Sequence, residues 1–399
     1  MDIEFYHNHK KRGEKTDIGF LNFETAAKVR SFHKSFPMYR ETPLAELKQL
    51  AKELHVADIY VKDESYRFGL NAFKVLGGSY AIGSYLAEKL GKEIQELSYE
   101  NIISKEIRDE LGEITFISAT DGNHGRGVAW TAQQFGQKSV IYMPKGSSQE
   151  RLLNIRAHGA EASITDYNYD DAVRLAARQA NENGWVMVQD TSWEGYEDIP
   201  THIMQGYMTM ASEAYEQLGS VKPTHIFVQA GVGSFATAVT GFFANAYPDA
   251  KPVITIVEAS AAACIYQTLK AEDGKLHPVT GDMQTIMAGL ACGEPVTVGI
   301  DVLRDYTHFA MSCQDYVAAQ GMRVLSSPVE GDPRIVSGES GAAGFGCAFE
   351  ILTNPDYQEL KEKLKINEDS VLLFFSTEGD TDLENYRKIV WDGAYCKEK

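Results

Sequence analysis

The feature that most constrains the fold is a regular alternation of short apolar strands with helical segments. It recurs from Ile59 onward, for example in strand Ile114 to Ala119 and its following helix. Strands that alternate with helices pair in parallel, because each helix carries the chain back to the start of the next strand. A chain of 399 residues, 44% of them apolar, is long enough for two such units. The sequence therefore predicts an α/β protein with two lobes, each a mostly parallel sheet flanked by helices.

Three local predictions accompany this scheme. Residues up to about Pro37 form an irregular or helical lead-in, a helix runs from Thr42 to Leu54 with Pro43 in its first turn, and another covers about Tyr99 to Leu111. The longest charge-free run, 226–248, nearly reaches membrane length but contains several glycines. A strand, a glycine turn and a buried helix explain that run better than a membrane span.

Charge and cysteine content limit the partners. The formal net charge of −18 argues against nucleic acid or an anionic membrane. The acidic opening Met1-Asp-Ile-Glu-Phe5 does not resemble a signal segment, so we expect a cytoplasmic protein. The five cysteines are widely spaced without a CxxC pair, which predicts free thiols and no metal site. Whether Cys264 and Cys292 pair is left open.

Lys74 is the first candidate catalytic residue. It ends the turn Gly69-Leu-Asn-Ala-Phe-Lys74, which leads from strand Ile59 to Lys62 into an apolar helix. Burial and a helix N-terminus both disfavour an ammonium, so we expect a lowered lysine pKa and a nucleophilic amine. A lysine that extends along the helix surface to solvent is the alternative.

A second loop, Thr120-Asp-Gly-Asn-His-Gly125, also connects a strand to a helix. Its glycines permit a tight turn whose free N–H groups could bind an anion. Asp121 could cap the helix or act chemically, and Asn123 could bind a ligand oxygen or serve the turn.

A third loop, Gln229-Ala-Gly-Val-Gly-Ser234, suits a phosphate monoester, which its amides and the Ser234 hydroxyl could bind. The same loop fits the dinucleotide pattern G-x-G-x-x-A through Gly231, Gly233 and Ala236, with Glu258 at the end of the next strand. An NAD-dependent dehydrogenase therefore remains an alternative.

A fourth loop, Phe375-Ser-Thr-Glu-Gly-Asp380, places hydroxyls after a strongly apolar strand. A neutral hydroxyl suits a heteroaromatic nitrogen, although these residues could also cap the helix that follows.

Together the four loops resemble the fold-type II family of pyridoxal-phosphate enzymes, which includes threonine dehydratase and tryptophan synthase β. Longer stretches are similar to the diaminopropionate ammonia-lyase family. Those stretches are Arg67-Phe-Gly-Leu-Asn-Ala-Phe-Lys74, Thr120 to Trp130, Gln189-Asp-Thr-Ser-Trp-Glu-Gly-Tyr196, Ile286 to Pro295, Ser337-Gly-Glu-Ser-Gly341 and Ser376 to Asp382. The likeness extends from about Phe32 onward.

The resemblance implies pyridoxal 5'-phosphate as cofactor and a role for each matching residue. Lys74 would form the Schiff base, Asn123 would bind the phenolic oxygen, and Ser376 or Thr377 would meet the ring nitrogen. The phosphate would be held by Gly231, Val232, Gly233 and Ser234.

The implied reaction is α,β-elimination of 2,3-diaminopropionate, D and L, to pyruvate and two ammonia. Asp121 would take a proton on the face opposite Lys74, and Asp190 would bind the distal ammonium. Another lyase of the serine or threonine dehydratase type is one alternative, and a relative that binds the cofactor without turnover is another.

The expected organisation is a discontinuous large lobe, residues 1–77 and 191–399, around a small lobe, residues 78–190. The resemblance also implies a homodimer.

Overall fold

The computed structural model describes residues 2–9 and 16–397. Within them two sheets account for the strands. The strands are β1 Ile3–His7, β2 Leu44–Glu46, β3 Asp58–Asp63, β4 Thr115–Ala119, β5 Lys138–Met143, β6 Glu161–Ile164, β7 Val186–Met187, β8 His225–Gln229, β9 Val253–Ala259, β10 Phe309–Cys313 and β11 Val371–Ser376.

The helices of the described residues flank these sheets. They are α1 Phe23–Lys34, α2 Lys48–Glu53, α3 Val75–Lys89, α4 Tyr99–Ile103, α5 Lys105–Leu111, α6 Asn123–Gln134, α7 Gln149–Arg156, α8 Tyr169–Asn183, α9 Asp198–Leu218, α10 Ser234–Ala246, α11 Cys264–Ala271, α12 Ile300–Tyr306, α13 Asp315–Ser326, α14 Ala343–Thr353, α15 Gln358–Leu364 and α16 Leu383–Val390. No helix among the described residues is long and apolar enough to cross a membrane.

The larger sheet has the strand order β1-β10-β9-β8-β11-β3-β2 and the smaller one the order β6-β5-β4-β7. All neighbours pair in parallel except the two edge strands of the larger sheet, β1 on β10 and β2 on β3. The predicted α/β architecture with two mostly parallel sheets is therefore confirmed. The smaller sheet lies wholly within 78–190 and the larger one wholly outside it, while the lobe boundaries themselves stay a prediction.

Three local predictions were wrong or incomplete. The segment after Pro43 is not helical from its start, because Leu44–Glu46 pairs with β3 and only Lys48–Glu53 forms a helix. The helix expected over Tyr99 to Leu111 breaks at Ser104, which takes an extended conformation and whose hydroxyl accepts the N–H of Ile107 to cap α5.

The predicted lead-in contains helix α1, but it also contains an edge strand, Ile3–His7, that was missed. That strand is stabilised by β10, about 300 positions away in sequence, so local pattern gave no signal for it. The charge-free run 226–248 forms β8, a glycine turn and α10, as predicted.

Helix α3, which Lys74 immediately precedes, is packed between α6 and α9 at very short range. A Cβ on Gly206 of α9 would lie 2.4 Å from the main-chain oxygen of Leu76, and one on Gly127 of α6 would lie 2.8 Å from Cα of Val75. Contacts that short are possible only for glycine. The two glycines thus let the start of α3, and with it Lys74, pack closely against both α6 and α9.

Candidate active site

The four predicted loops meet in one cavity at the carboxyl ends of the parallel strands, where open α/β sheets bind ligands. Both sheets contribute, because the loops follow β3, β4, β8 and β11, and the loop after β7 joins them. Nine of the ten predicted site residues line the cavity: Lys74, Asp121, Asn123, Asp190, Gly231, Val232, Gly233, Ser234 and Thr377.

Lys74 and Asp190 form an ion pair inside the cavity. Burial lowers the pKa of Lys74, but the Asp190 carboxylate outweighs it and leaves the pKa raised. Burial likewise raises the pKa of Asp190, and the Lys74 ammonium reverses this so that the pKa is lowered. The predicted lowered lysine pKa was therefore wrong for this structure, because a carboxylate 116 residues away in sequence neutralises the ammonium.

Tyr169, on helix α8, supports the Asp190 carboxylate. Its hydroxyl donates to Oδ1 of Asp190 at 3.2 Å and accepts from Nε2 of Gln189 at 2.9 Å. Tyr169 is the first residue of α8, with Asn168 as the N-cap. Its place in the cavity wall was missed, since a tyrosine at a helix start carries no signal of its own.

Asp121 does not cap helix α6. The Thr120 hydroxyl does so, because its oxygen accepts the N–H groups of Gly122 at 2.9 Å and Gly125 at 3.0 Å. The Asp121 carboxylate instead lies 3.3 Å from a guanidinium nitrogen of Arg151 and faces the cavity. The structure therefore does not show the helix cap that was one of the two roles left open, and the Asp121 carboxylate lines the cavity beside Arg151.

Asn123 connects the loop after β4 to the loop after β11. Its Nδ2 donates to Oε2 of Glu378, whose Oε1 accepts the N–H of Ser340 at 3.0 Å. Glu378 is only 2% exposed and lines the cavity, yet the sequence analysis did not single it out. A single glutamate in a polar loop carries no sequence signal of a binding site, and only the fold places Glu378 beside Asn123.

The glycine loop forms an anion cradle at the N-terminus of α10. Among the described residues the N–H groups of Gly231, Val232 and Gly233 have no hydrogen-bond acceptor. Gly233 has φ +109°, and a Cβ on Gly231 would lie 2.9 Å from the main-chain oxygen of Gly289. Ser234 begins the helix, and its hydroxyl donates to the carbonyl of Asp190. Free amides at a helix start suit a phosphate.

Glu258 argues against the dinucleotide alternative. Its side chain is fully buried and accepts the N–H groups of Ile265 at 2.9 Å and Tyr266 at 2.6 Å. Burial raises its pKa to about 8 despite those hydrogen bonds. The carboxylate that an NAD enzyme would use on a ribose is thus occupied at the start of α11, outside the cavity wall.

Thr377, rather than Ser376, lines the cavity. The Ser376 hydroxyl donates to the Ser337 hydroxyl at 2.8 Å behind the strand end. Nε2 of Gln229 donates to Oγ1 of Thr377 at 2.8 Å. Cys292 is a cavity residue as well, and both it and Cys264 are buried free thiols.

These groups fit pyridoxal phosphate. The unpaired amides of the glycine loop match a phosphate, the Lys74 amine matches an aldehyde, and the Thr377 hydroxyl and Asn123 amide match a ring nitrogen and a phenolic oxygen. Lys74, the loop from Gly231 to Ser234, Asn123 and Thr377 would therefore hold the cofactor.

Comparison with known proteins agrees with this fit. The family model for pyridoxal-phosphate dependent enzymes matches residues 36–377. Diaminopropionate ammonia-lyase of Salmonella typhimurium is 51% identical over 397 residues, 98% of each chain.

Two crystal structures of the Escherichia coli diaminopropionate ammonia-lyase superpose closely on the chain. The complex with D-serine has a TM-score of 0.92 and 48% identity, covering 98% of both chains. The complex with an aminoacrylate-PLP azomethine reaction intermediate has a TM-score of 0.90 and 49% identity, covering 99% of this chain and 98% of the other. The chain therefore belongs to the pyridoxal-phosphate dependent enzymes and, within them, to the family of the diaminopropionate ammonia-lyases.

Proposed function

We propose that the protein eliminates both amino groups of 2,3-diaminopropionate, from the D and the L isomer, giving pyruvate and two ammonia with the uptake of one water. The observation that carries the proposal is the pair of carboxylates, Asp121 and Asp190, that line the cavity together with Lys74. An ordinary hydroxy amino acid has one ammonium to neutralise, whereas this substrate has two. The second ammonium, on the β-carbon, finds its partner in the carboxylate of Asp190.

When bound, pyridoxal phosphate supplies an electron sink for the bond broken at the α-carbon. The residues of the chain supply the proton transfers and the orientation. Lys74 holds the cofactor through Nζ and, once released by the substrate, accepts the α-proton from its own side of the cavity. Its ion pair with Asp190 supports this exchange, because a carboxylate beside the amine stabilises the protonated form that results.

Asp121 serves the opposite side. The α-hydrogens of the two isomers point to opposite faces when the carboxylate and ring are held alike, and Lys74 reaches one face only. Asp121 is released from helix capping by Thr120 and is held by Arg151, which leaves it available as the second base. The D-serine complex of the 48% identical relative supports binding of a D-amino acid in a site of this kind.

Asp190 has two tasks in this proposal. It neutralises Lys74 in the structure described here, and with the substrate in place it binds the distal ammonium and keeps that group protonated, so that neutral ammonia leaves when the β-carbon–nitrogen bond breaks. Tyr169 fixes the orientation of its carboxylate through the 3.2 Å hydrogen bond.

The test uses the purified protein loaded with pyridoxal phosphate. Pyruvate and ammonia are measured separately from each isomer of 2,3-diaminopropionate, with D-serine, L-serine and L-threonine as competing substrates. We expect two ammonia per pyruvate from both diamino acids and a higher kcat/KM than for any hydroxy acid. A Lys74→Ala variant is the control and should show no turnover. A preference for serine or threonine would favour the dehydratase alternative.

Two further assignments belong to the proposal. We expect a homodimer, as the family resemblance implies, and a cytoplasmic location, which the acidic composition of the chain supports. Light scattering of the loaded protein tests the first, and fractionation of cells that express the chain tests the second.

A further inference from the structure

Gln229 lies directly behind the hydroxyl that faces the cavity. It ends β8 and Thr377 follows β11, and these two strands are neighbours in the larger sheet. Nε2 of Gln229 is 2.8 Å from Oγ1 of Thr377 and 2.9 Å from the main-chain oxygen of Phe375. Both side chains are almost fully buried, at 2% and 3% exposure.

The direction of the hydrogen bond follows from this geometry. The Phe375 carbonyl can only accept, so the side of the Gln229 amide that faces it must be the NH2 group. An amide NH2 cannot accept, so the Thr377 oxygen accepts from Gln229. The hydroxyl hydrogen of Thr377 then has no acceptor among the described residues, although its side chain lines the cavity.

The oxygen end of the Gln229 amide differs from its nitrogen end. Oε1 of Gln229 is buried and has no hydrogen-bond donor among the described residues. An unsatisfied buried acceptor costs stability. The acceptor of the Gln229 amide is therefore left without a hydrogen bond, while its NH2 group donates to the Phe375 carbonyl and to the Thr377 hydroxyl.

We propose that Gln229 is a positioning residue that turns the Thr377 hydroxyl into an obligatory donor aimed into the cavity, so that the cofactor's ring nitrogen accepts a hydrogen bond and stays unprotonated. A donor in front of a pyridine nitrogen disfavours its protonation, because the lone pair is already engaged. The inference depends on the cofactor and not on the proposed diamino acid substrate, so each of the two proposals can fail without the other.

The experiment loads the protein with pyridoxal phosphate carrying ¹⁵N in the ring and records the nitrogen resonance without substrate. The wild type should show an unprotonated ring nitrogen. In Gln229→Glu the new carboxylate accepts the hydrogen of the Thr377 hydroxyl, so that this hydrogen no longer points into the cavity. The ring-nitrogen resonance should then move toward that of a protonated pyridine. An unchanged resonance would overturn the proposal.

A double-mutant cycle separates this role from general damage to the fold. Thr377→Ser keeps the hydroxyl, so its ring-nitrogen resonance should equal that of the wild type. In a Thr377→Val background the change Gln229→Glu should no longer shift the resonance, because the hydroxyl that transmits the effect is gone. An equal shift in both backgrounds would mean that Gln229 acts directly on the site.

If Gln229→Glu does not fold, Gln229→Met takes its place. This unbranched side chain removes both N–H groups while retaining bulk. The resonance should then move toward that of Thr377→Val, and the cofactor should bind about 2–10-fold more weakly, the equivalent of one neutral hydrogen bond. Wild-type affinity together with a wild-type resonance would overturn the proposal.

Discussion

The guanidinium of Arg151 holds Asp121 by both its side chain and its main chain. One nitrogen lies 3.3 Å from Oδ2 and 3.4 Å from the main-chain oxygen of Asp121. Arg151 comes from α7 and is 7% exposed, so the contact is sheltered from solvent. A carboxylate held in this way keeps one orientation toward the cavity, which a general base requires.

Asp121→Asn should reduce kcat/KM for D-2,3-diaminopropionate by roughly 10²–10⁴-fold, the usual value of one general base, and reduce that for the L isomer much less. The amide preserves size, and capping by Thr120 is untouched, so the fold should survive. Steady-state kinetics with each isomer give the answer. Equal losses for both isomers would assign Asp121 a shared or structural role.

Arg151→Lys tests the positioning of Asp121. The lysine keeps the positive charge near Asp121 and Glu378, but its shorter side chain lacks the guanidinium nitrogen that contacts both oxygens of the aspartate. We expect a drop in kcat for the D isomer with little change for the L isomer. Circular dichroism should match the wild type. A loss that is the same for both isomers would show that Arg151 acts on the whole site.

Gly233→Ala should weaken retention of pyridoxal phosphate. The added Cβ would lie 2.9 Å from Cδ1 of Ile265, and φ is +109°, so the cradle must distort. Gly219→Ala is a matched control, since Gly219 also has positive φ, +59°, but has no atom within 4 Å of the added Cβ. Spectroscopic titration with the cofactor should show weaker binding for Gly233→Ala alone. Equal affinities in the two variants would remove the cradle assignment.

Glu213→Gln should destabilise the protein by about 3–5 kcal/mol, because it leaves buried positive charge uncompensated. Glu213 lies 2.8 Å from Lys62 and 2.7 Å from Arg67, with all three side chains fully buried. Burial raises the pKa of Glu213, but the two cations outweigh it and keep the pKa lowered.

Urea denaturation measures the change in the free energy of unfolding. Glu24→Gln is the control, because Glu24 pairs with Lys28 at 2.8 Å on an exposed helix face. The denaturation midpoint of the control should equal that of the wild type. If Glu213→Gln behaves like the control, the buried charges do not stabilise the segment that leads to the lysine turn.

Stability should fall as the pH drops below about 6.5, in part because of His33. Burial lowers its pKa to about 3, and its ring nitrogens contact Thr209 Oγ1 at 2.7 Å and Leu76 O at 3.1 Å. In the unfolded state the His33 side chain binds a proton near pH 6.5, whereas in the folded state it does so only near pH 3. The contribution of neutral His33 to the free energy of unfolding is therefore complete above pH 6.5. It falls on acidification, by roughly 2 kcal/mol at pH 5.

Urea midpoints at pH 7, 6 and 5 test this expectation. His33→Gln should show a shallower pH dependence than the wild type, with a remainder from His124 and His225, whose pKa values burial also lowers. Identical slopes in His33→Gln and the wild type would contradict the assignment.

The sequence alone determined the α/β class, the four loops and nine of the residues that line the cavity. These are encoded locally, since apolar periodicity marks strands and helices, and glycines with hydroxyls mark their junctions. It also carried the family resemblance, because long stretches around Lys74, Asp121 and Asp190 match at once. The edge strand Ile3–His7 was missed because the strand it pairs with, β10, lies about 300 positions away in sequence.

Only the tertiary structure decided which groups each candidate contacts. The pKa of Lys74 is raised rather than lowered because Asp190 arrives from a different sheet. Thr377 replaces Ser376 at the cavity because the strand end turns one hydroxyl inward and the other toward Ser337. Charges and hydrogen bonds act over a few ångströms, and the groups that come that close lie 39 positions apart for Ser376 and Ser337 and 116 for Lys74 and Asp190. No local pattern could therefore reveal these contacts.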